Sequence, residues 1–138
     1  MPVAVRVVSV ERALFEGDAD FLFARGAEGD LGILPGHTPL LTTLRPGALR
    51  IEVGPEEHVI FVGGGFLEVL PDRVTVLADE AERAEDIDEH EAEKARREAA
   101  DRLGDVENED DRHELEQILE SAEERLRLAR ELGGRRGR

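Results

Sequence analysis

The hydrophobic period changes once along this chain, near residue 80, and that change limits the fold more than any other feature. Before it, apolar residues alternate or come in short runs. Val3, Val5 and Val7 alternate with other residues, and so do Leu49, Ile51 and Val53 around Arg50 and Glu52. Phe21-Leu22-Phe23, Phe66 to Leu70 and Val74 to Leu77 are short apolar segments. Val59-Ile60-Phe61-Val62 is continuous, the pattern of a strand buried on both faces. Glycine, proline and aspartate punctuate these segments at Glu16-Gly17-Asp18, Gly26 to Asp30, Pro35-Gly36, Pro46-Gly47, Gly54-Pro55 and Pro71-Asp72. Many short strands with closely spaced turns predict an antiparallel β-sandwich or barrel.

After Asp79 proline disappears and the period becomes helical. Ala92, Ala95, Ala99 and Leu103 recur at three- and four-residue spacing, with Gly104 as the expected stop. A polar connection follows, and Asp110 or Asp111 is expected to cap a second helix. That helix carries the stripe Leu115, Ile118, Leu119, Ala122, Leu126 and Ala129, with the segment from Gly133 to Arg138 expected to fray. The expected architecture is therefore α+β. An N-terminal antiparallel sandwich of residues 1–84 precedes a C-terminal two-helix hairpin of residues 85–138. The first stripe is mostly alanine, so its burial yields little, under about 1 kcal/mol for each methyl. Two readings follow: a permanently docked hairpin, or one that detaches and so can regulate.

Charge and composition exclude several classes of function. The 138 residues carry a formal net charge of −15, which argues against nucleic acid and against an anionic membrane surface. There is no cysteine, hence no disulfide and no thiolate chemistry. No apolar run approaches the roughly 20 residues needed to span a bilayer, so no direct bilayer insertion is expected. The N-terminus lacks the pattern of a signal peptide. The cytoplasm is the default compartment, and the isolated chain is expected to be monomeric or weakly associated.

No catalytic constellation emerges. Gly63-Gly64-Gly65-Phe66 is not followed by the Lys-Ser/Thr of a phosphate loop and reads as a tight turn or bulge. His113-Glu114 begins like a zinc-protease helix, but Gln117 stands where the second histidine belongs. Asp105, Glu107, Glu109, Asp111 and Glu116 have calcium-loop spacing, yet Asp110 replaces the required glycine. No carboxylate sits in the apolar setting that acid–base work needs. The expectation is a non-enzyme with no catalytic residue and no metal site.

Three ordered stretches carry a family resemblance. The first runs Gly29-Asp30-Leu31-Gly32-Ile33-Leu34-Pro35-Gly36-His37-Thr38-Pro39-Leu40-Leu41, then Leu44-Arg45-Pro46-Gly47. The second is Gly63-Gly64-Gly65-Phe66-Leu67-Glu68-Val69. The third is Val74-Thr75-Val76-Leu77-Ala78-Asp79, leading into Ala81 to Asp88. Together they resemble the F-type ATP synthase epsilon family, of the bacterial and chloroplast type. The resemblance implies a central-stalk rotor subunit that couples proton flow to ATP synthesis. It implies a sandwich that binds the gamma subunit and the c-ring, at the cytoplasmic face of the bacterial plasma membrane. It marks Leu31, Gly32, Ile33, Leu34, Pro35, Gly36, His37, Leu40 and Leu41 as the candidate c-ring contact. Read from the residues alone, His37 either fixes its turn or meets a partner, and Leu40 and Leu41 are either core or interface.

The resemblance also implies that the helices can extend and inhibit ATP hydrolysis. Arg125, Arg127 and Arg130, with the tail arginines, would then face acidic segments of the catalytic beta subunits. Their plain alternative is helix-end capping and pairing such as Glu123 with Arg127. Some relatives hold ATP between the helices through Ile/Leu-Asp, two residues, then Arg-Ala. Ile87, Asp88 and Ala92 fit that pattern, as does upstream Glu82, but Glu91 stands in place of the arginine. Arg96 or Arg97 could compensate. A reversed charge at the phosphate contact implies weak or absent ATP binding. The alternative function is a stand-alone small-ligand or nucleotide sensor, which predicts tight nucleotide binding and no affinity for gamma.

Overall fold

The computed structural model describes residues 2–133. Contacts divide the chain into two units, Met1–Arg83 and Ala84–Arg138.

The first unit is a sandwich. Its ten strands among the described residues are β1 (Val3–Ser9), β2 (Ala13–Ala19), β3 (Phe21–Gly26), β4 (Gly29–Ile33), β5 (Leu40–Leu44), β6 (Gly47–Val53), β7 (Glu56–Val62), β8 (Gly65–Leu70), β9 (Arg73–Ala78) and β10 (Ala81–Arg83). Their order is β10-β7-β6-β3-β5-β8-β9-β1-β2, with β4 pairing β3 off this path. A single register pair, Gly26 with Leu44, joins β3 to β5, so the sheet folds into two layers there. At the opposite margin the Arg83 guanidinium donates to the Leu14 carbonyl at 3.0 Å, tying β10 to β2. One pairing departs from the antiparallel expectation: β1 runs parallel to β9.

Alternation explains the core. Val3, Val5 and Val7 of β1 face inward with Leu67 and Val69 of β8 and Val74 and Val76 of β9. Leu22, Ile33, Leu49, Ile51, Ile60 and Val62 close on them from the other layer. Each such side chain is worth about 1.5–3 kcal/mol when removed from water.

The triple glycine is more than a turn between neighbouring strands. β7 pairs with β6 and β10, whereas β8 pairs with β5 and β9. The glycines therefore carry the chain from one layer to the other. Gly63 N–H donates to the Glu80 carbonyl at 2.8 Å, and Asp79 N–H donates to the Gly64 carbonyl at 3.0 Å. Gly65 has φ +137°, and a Cβ there would run into the Leu77 carbonyl oxygen and lie 2.9 Å from Ala78 Cα. Only glycine fits a backbone held this closely to its neighbour.

The second unit opens with a 3-10 turn, Ala84–Asp86, followed by α1 (Glu89–Asp105) and α2 (Glu109–Leu132). Several boundaries differ from expectation. Gly104 lies inside the last turn of α1 rather than ending it, and Val106 is the C-cap. Asn108 caps α2 in place of Asp110 or Asp111, because its Oδ1 accepts from both of their N–H groups, at 2.7 and 3.3 Å. The two aspartates instead bring negative charge to the positive end of the helix dipole. Ile118, expected in the apolar stripe, is 42% exposed, while Leu128, outside it, is buried. A single stripe assumes one covered side, whereas α2 packs on the Ala84–Asp86 turn as well as on α1. Arg135, Arg136 and Arg138, named with the inhibitory arginines, lie outside the described residues, as does the end of the tail expected to fray.

Candidate functional site

The loop between β4 and β5 is a built surface feature. Leu34-Pro35-Gly36-His37 makes a reverse turn in which His37 N–H donates to the Leu34 carbonyl at 3.2 Å. Proline at the second position and Gly36 at the third, with φ +81°, are the requirements of a type II turn. Gly36 N–H donates to the Pro71 carbonyl at 3.0 Å, which pins the tip to the β8–β9 turn. The His37 ring Nδ1 lies 2.6 Å from the Thr38 carbonyl oxygen, so in the tautomer that carries its proton there it donates to it. This ring contact is local to the next residue, and the His37 ring is partly exposed.

The candidate contact residues on this loop do not all face solvent. Ile33 is 0% exposed and belongs to the core, which corrects its inclusion as a contact. The reason is parity: Ile33 pairs with Leu22 of β3, so both side chains point inward. Leu31 and Leu40 pack partly buried against the core. Gly32 faces outward beneath the Phe21 ring, where a Cβ would lie 3.0 Å from Cζ. Leu34, at 59% exposure, and Leu41, at 69%, are the apolar side chains this segment offers.

Leu41 also borders a larger feature that sequence reasoning missed. Thr43 of β5, Phe66 of β8, Leu77 of β9 and Val8 of β1 are successive register partners, forming one row across four strands. Phe66 is 52% exposed and Leu77 54%. The next row is polar, running Glu68, Thr75, Arg6 and Glu16, with Leu41 at its β5 end. In that row Arg6 and Glu16 form an exposed ion pair at 3.6 Å. Beyond Val8, Val10 is almost fully exposed on the β1–β2 turn. Ser9 Oγ accepts there from the N–H groups of Glu11 and Arg12, at 3.3 and 3.4 Å. Phe66 and Leu77 occupy positions where a half-buried strand should place polar residues, and that broken alternation was the available signal.

The hairpin holds the second group of candidates. Asp88 is the N-cap of α1 and accepts from Glu91 N–H at 3.0 Å. Ile87 and Ala92 are buried. Glu82 lies on β10, in the other unit. Glu91, at the position where the motif wants arginine, instead meets the Arg125 guanidinium at 2.6 Å. Arg96 makes a two-pronged bond to Glu93, at 3.0 and 2.8 Å, and Arg97 stands 3.7 Å from the same carboxylate. The Arg96 fork holds the Glu93 carboxyl down at about 2, with Arg97 and Arg130 helping and partial desolvation opposing.

The three candidate inhibitory arginines all have acidic neighbours. Arg125 pairs with Glu91, and Arg130 reaches Glu89 and Glu93, both at 3.6 Å. Arg127 pairs with Glu124 at 2.6 Å rather than with Glu123 as expected. No helix among the described residues is long and apolar enough to cross a membrane.

Comparison with known proteins agrees with this architecture. Residues 2–84 match the family described as ATP synthase, Delta/Epsilon chain, beta-sandwich domain. The ATP synthase epsilon chain of Chromohalobacter salexigens is 51% identical over 134 residues, covering 94% of this chain and 95% of that one. The ATP synthase epsilon chain of Acidithiobacillus ferridurans is 56% identical over 103 residues, covering 75% and 73%. Among solved structures, a chain of the Euglena gracilis mitochondrial ATP synthase OSCP/F1/c-ring assembly superposes with TM-score 0.77 and 25% identity, covering 89% of this chain and 78% of that one. A chain of the Tetrahymena thermophila mitochondrial ATP synthase central stalk and c-ring shares the fold with TM-score 0.53 and 18% identity, covering 67% and 70%.

Proposed function

The chain belongs to the ATP synthase epsilon family, and from that premise we propose how its two units serve the complex. It is a non-catalytic subunit of the ATP synthase and a component of the central-stalk rotor. The sandwich is its anchor. The row Val8, Leu77, Phe66 with Leu41 at its edge is the surface offered to the gamma subunit. The pinned loop tip, Leu34 to His37, is the surface offered to the c-ring. The whole sits peripherally, at the cytoplasmic face of the membrane.

The observation that supports this reading is the exposed apolar row on a fully laddered sheet. Phe66 and Leu77 lie on strands paired on both edges, so the surface cannot bend independently of the core. A rotor component needs such stiffness, because torque passed through a yielding contact is lost as local distortion. A binding surface held by rigid strands is also preorganised, which lowers the entropic cost of docking. The strongly acidic chain adds steering toward partly basic partner surfaces.

The helices are the regulatory part of the proposal. Opened, they present Arg125, Arg127 and Arg130 to acidic segments of the catalytic beta subunits and slow hydrolysis. The test is ATP hydrolysis by a catalytic head stripped of this subunit, with the full chain or the chain ending at Ala84 added back. Co-sedimentation with gamma is recorded in parallel. Binding by both forms, with slowing only by the full chain, is the expected result. Binding without slowing overturns the inhibitory role alone. Failure of either form to bind a matched head overturns the anchoring role.

A further inference from the structure

The apolar seam of the hairpin is thin on its α1 side, whereas α2 buries Leu115, Leu126, Leu128 and Ala129. On α1 its buried residues are Ala92 and Ala99, two of the smallest side chains available. Both helices are net acidic, so their general electrostatic interaction is repulsive. Yet the end formed by the start of α1 and the finish of α2 is closely packed. Gly133, the C-cap of α2, approaches the Ile87 carbonyl so nearly that a Cβ would lie 2.6 Å from its oxygen.

At this end opposite charges cross from helix to helix. Glu91 of α1 meets Arg125 of α2 at 2.6 Å. Arg130 stands 3.6 Å from Glu89 and 3.6 Å from Glu93. Glu89 and Glu93 are four residues apart, one turn along the same face, so a single guanidinium can address both. The Arg125 side chain is only 14% exposed while Glu91 is 60% exposed, so the pair is half-open to solvent and salt can reach it.

We propose that Glu89, Glu91 and Glu93 with Arg125 and Arg130 form an ionic clasp that holds this end of the hairpin shut and makes its opening depend on ionic strength. The proposal rests on the hairpin geometry alone and stands or falls independently of the inhibitory role. Screening weakens attraction between partly exposed charges, so salt loosens the clasp. The same arginines cannot pair with these glutamates and with an external acidic surface at once. The clasp is therefore an internal competitor for any such surface.

The test is backbone hydrogen exchange of the full chain at constant pH 7, in roughly 0.05 M and 0.5 M salt. The amides of Ala92, Glu93, Leu126 and Ala129 report on the clasp end, and those of Val74 and Val76 report on the sandwich. Exchange at the clasp end should rise about two- to five-fold with salt, while the sandwich amides stay unchanged. Glu91→Gln should raise low-salt exchange there by a similar factor. In the Glu89→Arg/Glu91→Arg double variant the salt effect should vanish or reverse sign, because salt then screens repulsion. Clasp-end exchange that ignores salt, or that rises equally in the wild-type and double-variant chains, overturns the clasp.

Discussion

Phe66 on β8 and Leu77 on β9 are register partners, and each leaves about half of its side chain exposed, at 52% and 54%. Their strand neighbours Leu67 and Val76, also register partners, are fully buried. The same pair of strands thus supplies a core contact on one face and an apolar row on the other. Phe66→Glu and Leu77→Glu should each cost on the order of 1 kcal/mol in thermal stability, because the buried half of each side chain is lost while no core cavity opens. Each should weaken association with gamma about ten-fold or more, if the row is a central part of the interface. Thermal unfolding and sedimentation with gamma check the two halves of this expectation separately.

Ile33 and Leu34 are adjacent yet face opposite environments. Ile33→Ala should cost about 2–5 kcal/mol in urea unfolding, since it leaves a cavity in the core. Leu34→Ala should cost under about 0.5 kcal/mol. If the loop tip meets the c-ring, Leu34→Ala weakens attachment to the ring while the chain stays as stable as the wild type. A c-ring pull-down on both variants distinguishes a stability loss from a contact loss.

Gly65 is held at φ +137° beside the Leu77 carbonyl. Gly65→Ala should destabilise the sandwich by at least about 1–3 kcal/mol from backbone strain alone. The collision with β9 adds to that figure. Urea denaturation measures it, and a wild-type midpoint would mean the layer crossing tolerates a side chain.

The Glu93 carboxyl is held at about 2, chiefly by its hydrogen bonds from Arg96. Its ionised form is favoured in the folded chain, so its stabilising effect is complete above the ordinary value of 4.5 and is lost as pH falls toward 2. Carboxyl-carbon NMR should show Glu93 titrating near 2, and Arg96→Gln should move it up toward 4.5. Ordinary titration of Glu93 in the wild-type chain would remove the basis for this window.

ATP should bind this chain weakly or not at all. Glu91 brings negative charge to the position where the motif wants arginine, and it is already engaged by Arg125 at 2.6 Å. Isothermal calorimetry with Mg-ATP on the full chain tests this directly, and micromolar affinity would overturn it. Such affinity would also revive the reading of a nucleotide sensor.

The legible parts of this protein were those set by local period. Alternating Val3, Val5 and Val7 and the run from Val59 to Val62 could only be strands. The proline-free stretch with Ala92, Ala95, Ala99 and Leu103 at helical spacing read as a helix, although the residues just after Asp79 form the short strand β10 before it begins. Pro35-Gly36 dictated its turn type through the backbone angles those two residues allow. Sequence could not say that Ile33 points inward while Leu34 points out, because that parity depends on which strand lies alongside. Nor could it show Gly63-Gly64-Gly65 as a crossing between layers, since β7 and β8 acquire their neighbours only when distant strands pair. The caps moved for a similar reason: several residues near each helix end could serve, and backbone geometry selected Asn108 over Asp110 and Asp111. Whether Glu91 was a free charge or half of an ion pair with Arg125, 34 residues away, was likewise undecided until the helices packed. The sequence by itself determined the elements, because propensity and period act over a few residues. The tertiary structure alone decided faces, crossings and charge pairs, because these arise from contacts between residues far apart in the chain.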